Sequence, residues 1–344
     1  MDNRSDGPRW HDPHQVTGAL VLGPSYEWRR AWERRHRELG RSAAGRFARD
    51  HGFVLSREDL RAVGVDYAEA RRELRAGRWT RIARGFVAPF TLDSTGFGRQ
   101  REQHALVCAA VLRGRRDCVV AGRSAAILRG IPTLTVPDRP ELICWNRDST
   151  TGRHGTALVR ATPIAREDVL DWFGVPLTRM ARTVVDLARV DRREAIVVAD
   201  AALRESLTDP DALAATVAAS AGLPGIATAR ALVPLACPKA ESPLESVTRL
   251  AMHDDGFPPP EPQGLAAGFH VDFLWADRRI VLETDGRVKY RAPSDGDDDP
   301  LWLEKRREIA IRRAGFTVLR VIWRDVMTDW PATSRWLRAE LGIR

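Results

Sequence analysis

The clearest hydrophobic pattern in the chain lies near its C-terminal end, where two apolar runs flank a short polar segment. Residues 269–275 and 280–282 are rich in aromatic, aliphatic and β-branched side chains, which is typical of β-strands. The four polar residues between them have the length of a hairpin turn. If that turn closes symmetrically, Asp272 lies directly opposite Glu283 on the neighbouring strand.

Three carboxylates then gather on one face of this predicted hairpin. Opposed residues in an antiparallel pair have Cβ atoms about 4.5–5.5 Å apart, and strand alternation puts Asp285 on the same face as Glu283. Like charges this close are destabilising unless something neutralises them, and a hard divalent cation would do so. The acids could instead point to solvent and pair with Arg278, Arg279 or Arg287. The hairpin alone leaves both interpretations open.

The pattern between residues 41 and 90 predicts a small module of helices and strands. A helix is predicted over 43–50, and the capping-box sequence that begins at Ser56 predicts a second helix ending near residue 63. A tight turn leads into a third helix over 67–76, and two short strands follow. Helix, helix, turn, helix and β-wing is the order of a winged helix-turn-helix.

The third helix and the wing are strongly basic. A basic recognition helix can enter the major groove, while wing arginines can reach phosphates or the minor groove. A solvated face on a helical hairpin is the other interpretation, but capping signal, turn and basic bias together favour DNA binding. The arginines concerned, set against only two glutamates, are Arg71, Arg72, Arg75, Arg78, Arg81 and Arg84.

The rest of the chain predicts a mixed α/β organisation. Ser124 and Thr178 are predicted N-caps of two helices, and the segment shows no nucleotide-binding glycine loop or nucleophile motif. Predicted helices lie at 99–113, 124–129, 179–189, 192–206 and 225–235, with strands near 118–121, 141–145 and 157–161. After Ser242 and Pro243, which start a helix, the predicted order is helix, three strands, helix (301–314), strand (317–323) and a final helix (331–341).

We therefore expect a multi-domain α+β chain with four parts. Residues 1–40 form a flexible basic arm with one short charged helix, and residues 41–90 form the winged helix-turn-helix. Residues 91–237 connect, dimerise or extend the DNA contact, so that a homodimer is possible, and residues 238–344 form the last domain.

Composition adds a preference for a polyanionic partner. The net charge is +8, with 54 basic against 46 acidic residues, which favours double-stranded DNA. The basic residues include only three lysines, Lys239, Lys289 and Lys305. The four cysteines lack paired metal spacing, and we expect them to be reduced and buried. No apolar run approaches a membrane span and the start is not a signal peptide, so the prediction is a cytoplasmic protein.

The basic module and the segment after it resemble the AbiEi family of antitoxins. The matching residues are SREDL at 56–60 and GRWTRIARG at 77–85, followed by VAGRSAAILRGI at 120–131 and VPLTRMARTVVDLA at 175–188. The resemblance implies a winged helix and a role as transcriptional regulator or antitoxin. It also implies a nucleotidyltransferase-like toxin as a partner.

The C-terminal region resembles the PD-(D/E)XK nucleases, and more closely a family related to very-short-patch-repair (Vsr) endonucleases. The matching residues are ESPLES at 241–246, VDF at 271–273, VLETDGRVKY at 281–290, KRRE at 305–308 and GFTVLRV at 315–321. They cover about 241–327. The fold that the resemblance implies is a restriction-endonuclease-like αβββαβ core.

The same resemblance implies roles for individual side chains. Asp272 and Glu283 would hold Mg²⁺, with Mn²⁺ as a possible substitute, and the ion would activate a water and neutralise charge on the scissile phosphate. Glu245 would bind the metal through water or orient the nucleophile. Lys289 would lie against the phosphate as a compact positive charge.

One position departs from the nuclease pattern. The superfamily has Glu-x-Lys where this chain has Asp285 at the third position. Either Lys289 supplies the missing charge from the next turn, or Asp285 is a further metal ligand at the catalytic site and Lys305 or Arg307 supplies the positive charge. The leading interpretation is a metal-dependent endonuclease that hydrolyses DNA phosphodiester bonds. The alternative is a non-catalytic transcriptional repressor or antitoxin of a type IV toxin–antitoxin system.

Overall fold

A computed structural model describes residues 32–92, 96–115, 117–145, 152–285 and 300–343 of the chain. Within these ranges the protein is a mixed α/β, multi-domain molecule with three β-sheets. The sheets contain three, six and four strands in chain order along the molecule.

The N-terminal module follows the predicted order closely. Helix α1 covers residues 32–38, and the elements after it are α2 (Ala43–Arg49), β1 (Leu55–Ser56), α3 (Arg57–Ala62), α4 (Tyr67–Arg75), β2 (Thr80–Ala83) and β3 (Phe86–Ala88). Helix α3 begins where predicted, because the Ser56 hydroxyl accepts from the Asp59 N–H and the Asp59 carboxylate accepts from the Ser56 N–H. The strands form a sheet in the order β1-β3-β2.

Helix α1 is packed, although it falls in the segment predicted to be a flexible arm. Trp32 is only 2% exposed, and its ring centroid lies 4.8 Å from that of Phe53 and 5.3 Å from that of Trp172. Arg35 pairs with Glu102. The described end of the predicted arm therefore belongs to the core, and the expectation of a solvated tail is wrong for residues 32–40.

The middle of the chain is built on the six-stranded mixed sheet, in the order β6-β7-β5-β4-β9-β8. Four elements escaped the sequence patterns: strand β6, helix α9, and the hairpin of β8 and β9, whose turn at Phe173 and Gly174 takes positive φ angles. The elements are α5 (Gly96–Leu112), β4 (Cys118–Val120), α6 (Gly122–Leu128), β5 (Glu141–Cys144), β6 (Gly152–His154), β7 (Ala157–Arg160), β8 (Val169–Trp172), β9 (Val175–Thr178), α7 (Met180–Ala188), α8 (Arg192–Arg204), α9 (Pro210–Ala219) and α10 (Ile226–Leu232).

Neither predicted N-cap of this region caps a helix. Helix α6 begins earlier, at Gly122, and the Ser124 hydroxyl inside it accepts from the Glu141 N–H at 2.9 Å and bonds His104 at 2.8 Å. Thr178 bonds the Thr183 hydroxyl at 2.6 Å instead of capping α7. Both hydroxyls are fully buried, so they satisfy interior groups rather than helix ends.

Two of the cysteines form a disulfide, which corrects the expectation that all four are reduced. Strands β4 and β5 are antiparallel and set Cys118 directly opposite Cys144, with Cα atoms 3.9 Å apart. The bond closes a loop between residues 26 positions apart in the sequence. Nothing in the spacing of the two residues announces the pairing, because strand register brings them together.

The C-terminal elements appear in the predicted order. They are α11 (Pro243–Asp254), β10 (Glu261–Ala266), β11 (Phe269–Trp275), β12 (Ile280–Asp285), α12 (Pro300–Arg313), β13 (Thr317–Ile322), α13 (Trp323–Met327) and α14 (Trp330–Leu341). The sheet order is β10-β11-β12-β13, and β12 pairs with β13 in parallel. Trp275 pairs with Ile280, and Phe273 with Leu282, which is the predicted hairpin register.

The predicted boundary near residue 238 lies between two groups of helices and strands, but the apolar interior is continuous across it. One buried cluster runs from Trp32 to Leu341. Helices α8 and α11 are also joined by ion pairs, since the Arg249 guanidinium meets both oxygens of Asp200 at 2.9 and 2.7 Å and Arg192 meets both oxygens of Asp254. The C-terminal unit is therefore fixed to the middle sheet.

Candidate functional site

The first candidate site is the exposed side of helix α4. A helix turns by about 100° per residue, which places Arg71, Arg72 and Arg75 within one arc of its surface. All three are exposed, while Ala70 on the other side is buried. Asp66 fixes the start of the helix by accepting from the Glu69 N–H at 2.6 Å.

The arginines of this module differ in how far their charge is neutralised. Arg78 donates two hydrogen bonds of 2.7 Å to Glu73, and these bonds lower the pKa of that carboxyl. In the described part of the chain no carboxylate pairs with Arg72, Arg75, Arg81 or Arg84. Of the predicted DNA contacts, Arg78 is therefore the one whose charge is already paired.

An aromatic ring extends the basic side at the start of α4. Tyr67 is 57% exposed, and the guanidinium groups of Arg57 and Arg71 lie 5.0 and 5.7 Å from its ring centroid. These distances are within the range of cation–π contacts. The ring holds both guanidinium groups toward the same exposed side of the module.

The second candidate site is a group of carboxylates between α11 and the C-terminal sheet. Glu245 on α11 is 5% exposed, and one of its oxygens accepts from the Glu241 N–H at 2.9 Å and from the Gln263 amide at 3.0 Å. Burial, and then the charge of Asp272, raise the pKa of Glu245 to about 7. Two acids from different elements therefore repel each other here.

Asp272 and Glu283 are held by different partners. One oxygen of Asp272 accepts from both the N–H and the hydroxyl of Thr284, each at 2.7 Å. Burial, and then the charge of Asp272, raise the pKa of Glu283, while Arg307 opposes the shift. Arg307 donates to Glu283 at 2.7 Å and to the His270 carbonyl at the same distance.

The predicted nuclease residues are only partly brought together. Asp285 is exposed at the end of β12, and Lys305 is exposed on α12; Lys289 lies outside the described residues. Across the described ranges, the carboxylate oxygens of Glu245, Asp272 and Glu283 do not all come within 4.8 Å of one another. Arg307, one of the three candidates for the missing positive charge, does lie against Glu283.

Sequence reasoning missed two side chains of this site. Thr284 orients Asp272, and Gln263 binds Glu245. Thr284 stands between the two acids of β12, where strand alternation points it away from them, so the pattern gave it no role. Gln263 lies on β10, which no acidic motif marks. The one compact group of three ligand-type atoms in the described ranges is Asp117 with Cys118 and Cys144, and there the disulfide occupies both sulfurs.

Comparison with known proteins places the N-terminal module among regulators. Residues 46–89 match the model of a family described as transcriptional regulator, AbiEi antitoxin. That segment contains α3, α4 and the strands β2 and β3. It also contains all six arginines named above.

Two relatives and one solved structure are also similar. The uncharacterized proteins Rv2248 and MT2308 of Mycobacterium tuberculosis are each 34% identical over 158 residues, which is 44% of this chain and 56% of each relative. The alignment thus spans little more than half the length of these relatives. The crystal structure of the RV2827C protein from Mycobacterium tuberculosis covers 69% of this chain and 84% of its own, at 18% identity and a TM-score of 0.34.

Among the helices that the structure describes, none has the length and apolar character needed to cross a membrane.

Proposed function

We propose that this protein is a DNA-binding transcriptional regulator of the AbiEi antitoxin kind. The observation that carries the proposal is the exposed arginine side of α4, which lacks acidic partners within the described residues and lies inside the family match. Unpaired guanidinium groups favour a polyanion, since each one that meets a phosphate releases condensed counterions. The roles of Arg71, Arg72 and Arg75 follow from their place on this side.

In the proposed complex α3 and α4 act as the helix-turn-helix and the β2–β3 hairpin acts as the wing. Helix α4 enters the major groove, where arginine pairs with guanine edges or phosphates. Arg81 and Arg84, on the wing, reach the neighbouring backbone or minor groove. Arg78 stays with Glu73 and contributes least.

Selection of bound duplexes from a random-sequence library, using the full chain, tests the proposal. The selected duplex should bind the Arg71→Ala/Arg72→Ala protein at least about tenfold more weakly, because two charged contacts are lost. Arg230→Ala is the matched control: Arg230 is an exposed arginine on α10, away from the module. Enrichment of no sequence, or equal binding by the double variant, would overturn the proposal. A selected inverted repeat would indicate that two copies bind.

The antitoxin part of the proposal implies a nucleotidyltransferase-like toxin as partner, and a gene for such a toxin beside this one would favour it. Co-expression in a host whose growth the toxin arrests measures it directly. Restored growth with the wild-type chain supports the antitoxin role. Continued growth arrest at an equal toxin level would reject the antitoxin role but not the proposed role in transcriptional regulation.

A second function, metal-dependent phosphodiester hydrolysis, is favoured by the mutually repelling carboxylates, of which Glu245 is buried and Asp272 and Glu283 are partly buried. Glu245, Asp272 and Glu283 offer only oxygen ligands, which suit Mg²⁺ or Mn²⁺. Asp272 and Glu283 would hold the ion, which when bound supplies charge neutralisation and an activated water. Because Arg307 occupies one oxygen of Glu283, Glu283 would have to exchange this contact for the ion.

The other side chains of the chain have supporting roles in this proposal. Thr284 holds Asp272 in one orientation through its N–H and hydroxyl. Arg307, once released from Glu283, is a cation beside the site that can contact a phosphate oxygen. Glu245, whose pKa is about 7, can accept a proton near neutral pH.

Plasmid nicking tests this second function. Supercoiled plasmid is incubated with the full chain and Mg²⁺, Mn²⁺ or chelator, beside Asp272→Asn and Glu283→Gln. Nicking that needs the metal and is lost in both variants would support hydrolysis. Equal nicking by wild type and variants would mean a contaminating nuclease. If neither the plasmid nor the duplex selected above is cut, the second function is rejected and only the regulator function remains.

A further inference from the structure

A groove lies beside the basic side of α4, where the DNA-binding module meets helix α5. It has a volume of about 560 Å³, and its walls come from the end of α4, from β2 and from the start of α5. Trp79 and Leu74 give it an apolar surface, while Arg75, Arg81 and Arg99 contribute guanidinium groups. Arg99 belongs to the middle of the chain rather than to the family-matched segment.

The arginines that line this groove have no acidic partner among the described residues. Arg75, Arg81 and Arg99 are exposed, and no carboxylate within the described ranges pairs with any of them. Three guanidinium groups around one groove repel one another, and a bound anion removes that repulsion. Arginine suits phosphate in particular, because its planar fork donates two parallel hydrogen bonds to two oxygens.

The position of Arg99 relative to α4 is fixed by contacts along α5. Arg113, the residue just after the end of α5, donates to the buried carboxylate of Asp59 in α3. Arg101 donates to the Ile131 carbonyl at 2.7 Å. The guanidinium of Arg99 is therefore carried on a helix that is tied both to the module and to the middle sheet, so little backbone ordering is required on binding.

The groove is continuous with the proposed DNA surface. Arg75 lies on the exposed side of α4 and also lines the groove, and Arg81 of the wing lines its other side. A DNA strand that passes the C-terminal end of α4 therefore passes the groove. The groove is open to solvent, so a backbone could enter and leave it past the apolar side chains of Trp79 and Leu74.

We infer that this groove binds a backbone phosphate of the DNA, and that Arg99 extends the contact from the recognition module onto helix α5. The inference rests on the proposed DNA binding and adds a residue to it. Arg99 positions the duplex through its phosphate and carries no sequence information.

Fluorescence anisotropy tests the inference with a labelled random-sequence duplex and the full chain over a series of salt concentrations. A lost phosphate contact lowers the slope of log affinity against log salt by about 0.9, which is about an eightfold loss at 0.1 M salt. Arg99→Ala should show both changes. Arg99→Lys should retain most of the slope, because it keeps the charge, and Arg230→Ala should bind as the wild type does.

The variants separate this inference from the proposed function. Weak binding by Arg71→Ala/Arg72→Ala with an unchanged Arg99→Ala slope overturns the inference alone, whereas a wild type that does not bind the duplex overturns both. Inorganic phosphate at constant ionic strength supplies the last arm. If phosphate raises the Tm of the wild type but not of Arg99→Ala, while Arg99→Ala keeps the wild-type salt slope for DNA, the groove binds free phosphate and the DNA contact is rejected.

Discussion

Two buried glutamates around Arg123 should respond in opposite ways to the same substitution. Glu194 is 2% exposed, and its main partner is the Leu134 N–H at 2.8 Å. Burial raises its pKa from 4.5 to about 7. Glu141 is equally buried, but it accepts three hydrogen bonds from Arg123: one from the backbone N–H and two from the guanidinium.

The direction in which stability changes with pH follows from the raised pKa of Glu194. Below pH 4.5 the carboxyl is protonated in both folded and unfolded chains and costs nothing. Between pH 4.5 and 7 only the unfolded chain loses the proton, so stability falls as the pH rises, and the loss is complete above pH 7. A rise of the pKa from 4.5 to about 7 corresponds to about 3 kcal/mol.

Glu194→Gln should therefore stabilise the protein above pH 7. The gain should be about 1–3 kcal/mol, because the new amide N–H group can lack a partner and offset part of it. Urea unfolding followed by circular dichroism at pH 8 and at pH 4.5 measures the change. The gain should be present at pH 8 and absent at pH 4.5. An equal effect of the substitution at both values would refute the reasoning.

Glu141→Gln, at the same arginine, is the matched comparison. It removes the anion from a partly buried ion pair with Arg123 and should destabilise the protein by about 2–4 kcal/mol at pH 8. Stabilisation by both substitutions at pH 8 would mean that burial alone, without regard to Arg123, decides the sign.

Three further changes of stability follow from contacts between distant parts of the chain. Arg249→Ala leaves the fully buried Asp200 without its ion pair and should lower the free energy of unfolding by about 3–5 kcal/mol in urea at pH 8. A much smaller loss would mean that water enters the site and solvates Asp200. Reduction of the Cys118–Cys144 disulfide should lower stability by about 3 kcal/mol, and Cys118→Ala/Cys144→Ala should abolish the response to reductant. Trp32→Ala should cost about 3–5 kcal/mol, because it empties a buried site; a loss under 1 kcal/mol would mean that α1 does not belong to the core.

Local signals in the sequence predicted local structure well. The capping box at Ser56 and the Ser242–Pro243 start of α11 are where they were expected, because each depends on residues three positions apart. The register of the β11–β12 hairpin was also predicted, since its turn length decides it. At the candidate nuclease site, the proximity of Asp272 to Glu283 follows from that register.

Features made by distant residues escaped prediction. The disulfide depends on the pairing of β4 with β5, and the packing of Trp32 depends on rings more than twenty residues away in the sequence. Ser124 was predicted to be an N-cap because serine is common at that position, but its hydroxyl accepts a hydrogen bond from Glu141 of the neighbouring strand. Arg99 had no motif at all, and only the docking of α5 against β2 brings it to the groove.

Helix α11 fixes the position of the carboxylate group relative to the middle of the chain. It carries Glu245 of the carboxylate group and also Arg249, which fastens the helix to Asp200. The N-terminal module and the carboxylates are thus joined by one buried cluster and an ion pair. If α4 binds a duplex and the carboxylates cut it, as proposed, any strand break is expected at a constant distance from the bound sequence.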